Sequence, residues 1–171
     1  DHCLRGEESK ADSKYVSALA KQLELPVTIG QVDVKAYRKE KNLTLEEAAR
    51  EVRYLFLSGV CKTVGAQLIV TGHTQNDDVE TILLHVVRCS GTRGLVGLKP
   101  LTPRTIGDEE LVIVRPMLDI TREETVDYCQ RLGLEPMLDT SNLELSPLRN
   151  KIRLKLMPML ERYNSNIADA L

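Results

Sequence analysis

The chain has 171 residues, 42% hydrophobic and 28% charged, the make-up of an ordinary globular domain that buries roughly two thirds of its unfolded surface. A formal charge of −2 excludes attraction of the whole surface to a polyanion, so any nucleic-acid contact needs a local basic patch; no Trp, one Phe and five Tyr leave little for stacking on bases. Cys3, Cys61, Cys89 and Cys129 form no C-x-x-C pair and have no His in zinc-finger register, which reads as the reduced thiols of a cytoplasmic protein, and no apolar run reaches the roughly 20 residues that span a bilayer.

In chain order, "ADSKYVSALAKQLEL" carries Tyr15, Val16, Leu19 and Leu23 on one stripe and stops before Pro26, which predicts a helix. "VTIGQVDV" predicts a strand. "LTLEEAAREVRYLFLSGVCKTVG" predicts a long helix that opens on Thr44 and Glu47 in capping-box spacing and closes at Gly65. "AQLIVTG" predicts a buried strand and "NDDVETILLHVVR" the next helix, with Val79, Ile82, Leu83, Val86 and Val87 as its buried face. The glycine-bearing "CSGTRGLVGLKP" and a loop lead to the strand "LVIVRP". "TREETVDYCQRLG" is a helix with Thr121 and Glu124 in capping-box spacing, and "SPLRNKIRLKLMPMLERY" a final helix with Ser146 at its cap and Pro147 in its first turn.

Alternating strands and helices predict an α/β fold, a parallel sheet covered by helices, with ligands at the carboxyl edge of the strands. "GHTQNDDVET" lies at that edge. Two explanations of its acids stand side by side. In one, Asp77 caps the helix and Glu80 completes the box, both in the favourable field of the helix N-terminus. In the other they hold a ligand, with His73 at the strand end beside them. A divalent metal on His73 and the carboxylates is a third reading, but the spacing is not the H-E-x-x-H of a zinc protease.

Other cations are open in the same way. Arg50 has Glu46 and Glu47 within helical reach and is expected in a surface ion pair, whereas Arg53 has no carboxylate at those offsets and must meet solvent, another element or a ligand. Arg88, Ser90, Gly91 and Arg93 lie on a polar, glycine-permitted turn that suits either a helix end or a nucleotide or RNA contact. Arg115, before Pro116 at a strand end, fits a phosphate contact or a plain salt bridge. In the last helix Leu148, Ile152 and Leu156 form the buried stripe, and Arg149 and Arg153 share another side, suited to tRNA phosphate or to a reaction centre. Asn142 and Asn150 read as caps and braces or as further contacts.

Several ordered segments resemble one family. "GHTQNDDVETILLHVVRCSGTRGLVGL" looks like the second signature of the PP-loop ATP pyrophosphatases, and the order of "DHCLR", "LTLEEAAREVRY", "VRPMLDITREE" and "DTSNLELSPLRNKIRLKLMPMLE" is most similar to the bacterial tRNA(Ile)-lysidine synthetases. The resemblance implies a Rossmann-like parallel sheet with helices on both faces, a catalytic domain over residues 1–140, and a helical linker over 141–171 toward a further domain. The family's S-G-G-x-D-S loop is expected to precede Asp1, together with the first strand.

The resemblance further implies ATP and Mg²⁺ as cofactors and tRNA(Ile) and L-lysine as partners, and it leaves a homodimer open. The implied reaction is adenylation of the anticodon wobble cytidine at C2, followed by attack of lysine's amine. His73, Asp77, Glu80 and Arg53 would be catalytic, with Asp77, Glu80 and Arg53 on lysine. Arg88, Ser90, Gly91, Arg93, Arg115, Asn142, Arg149, Asn150 and Arg153 would meet nucleotide or tRNA. The alternatives are a tRNA thiolase of the same superfamily and a non-catalytic nucleotide- or RNA-binding module. Cys3 and Cys89 stand where the family usually has glycine, and cysteine would be strained there if the backbone needs positive φ.

Overall fold

The computed structural model describes residues 1–91, 95–137 and 148–171. The fold is α/β, built as two compact units, Asp1–Ile69 with Pro103–Val112 and Val70–Thr102 with Ile113–Leu171. The division crosses three strands, β1 Leu68–Val70, β2 Leu101–Ile106 and β3 Glu109–Val114, which pair in the order β1-β3-β2. β1 and β3 are parallel: Val112 N donates to Gln67 O in the first unit, and Thr71 N donates to Val114 O in the second. β2 and β3 are joined by the two residues Gly107 and Asp108, with Gly107 at φ 61°, the geometry of a tight antiparallel hairpin. The sheet is therefore mixed. Part of the stretch expected as loop is β2, whose pairing rests on that turn.

In the first unit, α1 Glu7–Gln22 and α3 Leu45–Val64 form where the apolar stripes place them. Thr44 and Glu47 cap each other as expected, and Gly65 ends α3 in the left-handed conformation. Val34, Ala48 and Val52 make a buried cluster with Leu4, Tyr37 and Leu43 packed on it. The strand predicted over residues 27–34 is not formed. Among the described residues, that stretch bonds to Asp1 and His2, with Val32 N on Asp1 O, Val34 N on His2 O and Asp1 N on Gly30 O, and no strand is formed there. Val34 instead opens α2 Val34–Lys41, capped by Asp33 Oδ1 on Ala36 N at 3.0 Å.

The second unit is organised by α4 Gln75–Val87. Val79, Leu83 and Leu84 pack with Ile152, and Leu148, Leu156, Met157 and Leu160 close over that cluster, so the expected stripe of the last helix is in place. Ile82 is buried too, but Val86 and Val87 are half exposed and Leu84 takes their place, which turns the buried face relative to the predicted one. α5 Arg122–Arg131 carries the expected Thr121 and Glu124 box. The last helix is α6 Leu148–Lys151, a π turn over Ile152–Leu156 and α7 Met157–Glu161, followed by α8 Ile167–Ala170. Pro158 accounts for the widened turn: it has no N–H for Leu154 O, and Met157 N reaches five residues back to Ile152 O. Ser146, Pro147 and the residue-140 boundary lie outside the described residues.

Cys3 and Cys89 both have positive φ, 53° and 54°. Cys89 occupies the turn that ends α4, with Cys89 N on Val86 O and Ser90 N on His85 O, the paired bonds of a helix end that favours glycine. A β-carbon in that conformation costs about 1 kcal/mol. Cys89→Gly is expected to raise the unfolding free energy by about that amount and Cys89→Val to lower it; urea titration of both variants measures the difference.

Candidate functional site

The motif that begins at Gly72 runs from the end of β1 into the first turns of α4, and its polar residues reach several other segments. Thr74, not Asp77, is the N-cap: Asp77 Oδ2 accepts from Thr74 N at 3.0 Å and from Thr74 Oγ1 at 3.2 Å. The capping box expected of Asp77 and Glu80 is thus formed one turn earlier, by Thr74 and Asp77. Asp77's other oxygen, Oδ1, faces Arg149 Nη2 at 3.1 Å.

That shift leaves Glu80 without a capping task, and the structure buries it. Its side chain is 4% exposed, and both oxygens meet guanidinium groups. Arg149 Nε donates to Oε2 at 2.8 Å, Arg153 Nε to Oε1 at 2.5 Å, and Arg153 Nη2 to Oε2 at 2.9 Å. Arg149 Nη2 also donates to the Asp77 main-chain oxygen at 3.2 Å. The geometry follows from two helical spacings. Asp77 and Glu80 are three apart on α4, and Arg149 and Arg153 are four apart on the last helix, so each pair points from one side of its helix. The bond to Glu80, then the charges of Glu80 and Asp77, hold the Arg153 guanidinium above its usual range against the opposing effect of burial. Two acids and two bases make the cluster neutral. Arg149 and Arg153 are a third and a quarter exposed, so they form its open side.

The neighbouring residues bind other segments. Asn76 Oδ1 accepts the first amide of α5, Arg122 N, at 2.7 Å, and Gln75 N donates to Ile120 O. Gln75 Nε2 reaches Asp169 Oδ1 at 2.8 Å. Asp78 Oδ1 accepts from Leu98 N. His73 Nδ1 shares a hydrogen bond of 2.8 Å with Thr71 Oγ1 at the end of β1.

The remaining expected residues fall as follows. Arg115 is 5% exposed, and its Nη1 donates to Lys99 O at 2.7 Å and to Thr102 Oγ1 at 2.8 Å; among the described residues it has no salt bridge. Asn150 is buried beside Arg149 in sequence. Arg88, Ser90 and Gly91 are exposed at the end of α4. Arg93 and Asn142 lie outside the described residues. In the first unit, Arg50 lies over the Tyr54 ring at 5.1 Å, with Arg104 at 4.8 Å from the same ring. Arg53 is exposed and near His2, whose imidazole is held below its usual value by burial first and then by Arg53. Sequence reasoning missed the roles of Thr74 and Asp78. Thr74 was visible as a cap candidate three residues before an acid, whereas the partner of Asp78 is twenty residues away with no local signal.

The sequence profile described as the PP-loop domain matches residues 1–160. The chain is 49% identical over 165 residues to a protein of Dehalococcoides mccartyi (strain CBDB1) named tRNA(Ile)-lysidine synthase, covering 96% of this chain and 35% of that protein. It is 41% identical over 175 residues to a protein of the same name from Symbiobacterium thermophilum, covering 100% and 35%, and 37% identical over 173 residues to one from Bacteroides thetaiotaomicron, covering 99% and 39%. The chain spans about a third of the length of these relatives.

Two outcomes follow from the charges. Removing a buried carboxylate strands its partners, and because these arginines can partly turn to solvent, Glu80→Ala is expected to cost about 3 kcal/mol, the low end for broken buried pairs; urea unfolding with and without Arg153→Ala checks it, and the double variant should lose less than the sum. For His2 the lowered value means that the unfolded chain takes up the proton first. Its contribution is fully present above about pH 6.5 and is lost as pH falls through the lower folded value. Stability measured from pH 7 to pH 5 should therefore fall less steeply in His2→Gln.

Proposed function

The chain belongs to the PP-loop domain family, and on that premise we propose that the full-length protein ligates L-lysine to the wobble cytidine of tRNA(Ile) at the expense of ATP. The name shared by the relatives supports the reaction class. The observation that carries the site assignment is the charge cluster at the start of α4, where two carboxylates are already matched to cationic side chains.

The reaction runs in two displacements. The cytidine C2 oxygen attacks the α-phosphorus of ATP and pyrophosphate leaves; the lysine side-chain nitrogen then forms a bond to C2, AMP leaves with the oxygen, and the amine gives up its protons. The amine starts as an ammonium with a reference value of about 10.4, so the site must first hold a cation and later accept its proton. Asp77 Oδ1 suits the first task. Its carboxylate is fixed from behind by Thr74 and is a quarter exposed, and its present partner Arg149 is itself a side-chain cation. Lysine's ammonium would take the place of Arg149 Nη2 on that oxygen. Glu80 would stay with Arg153 and keep the first turn in shape, which refines the expectation that both acids bind lysine alike.

Arg149, released by this exchange, would turn its charge to phosphate of tRNA or of the nucleotide, as a planar guanidinium does well. His73 at the strand end completes the proposed set in this unit. Among the described residues no group of three or more His, Cys, Asp or Glu side chains could hold a metal ion, so we assign Mg²⁺ to the triphosphate, where it ordinarily binds through phosphate oxygens. Among the described residues no helix is long and apolar enough to cross a membrane.

The test is transfer by the full-length protein of radiolabelled lysine to unmodified tRNA(Ile) with ATP. Incorporation with release of AMP and pyrophosphate is expected; sulfur transfer, or nucleotide binding without turnover, would replace the proposal with a thiolase or a binding module. In the same assay Asp77→Asn is expected to raise the KM for lysine about tenfold while the KM for ATP stays within about twofold, because the lost interaction is with the cationic substrate alone.

A further inference from the structure

We infer that Asp78 is a positioning residue: it clasps Gly97 and Leu98 against the start of α4. The inference rests on the proposed reaction only for what the segment does there, not for the clasp itself.

Three observations in the second unit carry it. Asp78 Oδ1 accepts the main-chain amide of Leu98. The residue before, Gly97, lies so close to the same carboxylate that a β-carbon there would overlap Oδ1 and stand 2.7 Å from Cγ and 3.0 Å from Oδ2. A side chain at position 97 would require this carboxylate to move. Beyond Leu98, Arg115, just after β3, fixes the next residues: its main-chain N donates to Pro100 O at 2.8 Å, and its buried guanidinium holds Lys99 O and Thr102 Oγ1.

The end of α4 is fixed as well. Ser90 N is bonded to His85 O at the last turn of α4, and Leu98 N is bonded to Asp78 near its start. His85 and Asp78 are seven apart, about 10 Å along the axis. Gly91, one of the expected nucleotide contacts, follows Ser90 directly and so leaves α4 from a fixed point. The clasp brings Leu98 beside the turn that also holds Asp77. Asp78 therefore spends its carboxylate on a peptide N–H, which distinguishes it from an acid that binds a cation.

That distinction sets the experiment. An amide oxygen can accept Leu98 N–H as a carboxylate does, whereas it cannot replace a charge on an ammonium or a metal ion. In the full-length protein, Asp78→Asn should stay within about threefold of the parent in kcat/KM, while Asp78→Ala and Gly97→Ala each raise the KM for ATP about tenfold and leave the KM for lysine within about twofold. The double variant Asp78→Ala with Gly97→Ala should be no worse than either alone, since both break one contact. A loss in Asp78→Asn as deep as in Asp78→Ala would overturn the inference, and so would full activity in Asp78→Ala. Hydrogen exchange gives a readout that needs neither turnover nor the alanine variants: the Leu98 amide should be protected in the parent and in Asp78→Asn. Free exchange of that amide in the parent would overturn the clasp even if lysine transfer is observed, and protection would uphold it even if lysine transfer is not.

Discussion

A carboxylate brought to 3% exposure needs cations beside it, and Glu80 has two. An isolated buried charge of this kind would cost several kcal/mol, far more than helix capping or a single apolar contact returns. The need for both arginines fixes where the last helix lies against α4 in the second unit. Once Arg149 and Arg153 reach Glu80, Ile152 between them in sequence falls onto Val79, Leu83 and Leu84, and the apolar stripe closes. The polar and apolar contacts agree on one register, which is what gives two amphipathic helices a single way to pack.

The first turn of α4 extends the same logic. Asn76 bonds the start of α5, Asp77 bonds its own cap and Arg149, Asp78 bonds the Leu98 amide, and Glu80 bonds the last helix. Successive residues on a helix point in directions about 100° apart, so a short run of short polar side chains can serve several neighbours at once. This explains why so many acids and amides crowd into one turn without repelling each other: Asn76, Asp77, Asp78 and Glu80 each have at least one donor on a side-chain oxygen. A turn braced in this way holds Asp77 Oδ1 in one place, and a fixed acceptor is what a small cationic substrate needs if its amine is to be aimed at a reacting carbon.

Local signals were legible in the sequence and distant ones were not. The boxes of Thr44 with Glu47 and Thr121 with Glu124, and the end of α3 at Gly65, depend on residues within one turn and appear as read. The positive φ of Cys3 and Cys89 was legible because glycine is expected there in similar proteins. The hairpin of β2 and β3 was not, since "LTPRTI" contains a proline and carries no strong alternation. Nor was α2, an eight-residue helix with few apolar positions. At the site, the acids were identifiable as residues with a task, but the choice between capping and holding a ligand turned on Thr74 and on arginines about seventy residues away in sequence.

The most direct measurement is a crystal structure of the full-length protein with L-lysine and a non-hydrolysable ATP analogue. The account predicts lysine's side-chain ammonium on Asp77 Oδ1, Arg149 turned away from that oxygen, and Arg153 still on Glu80. Lysine bound elsewhere, with Arg149 still bridging Asp77 and Glu80, would contradict it.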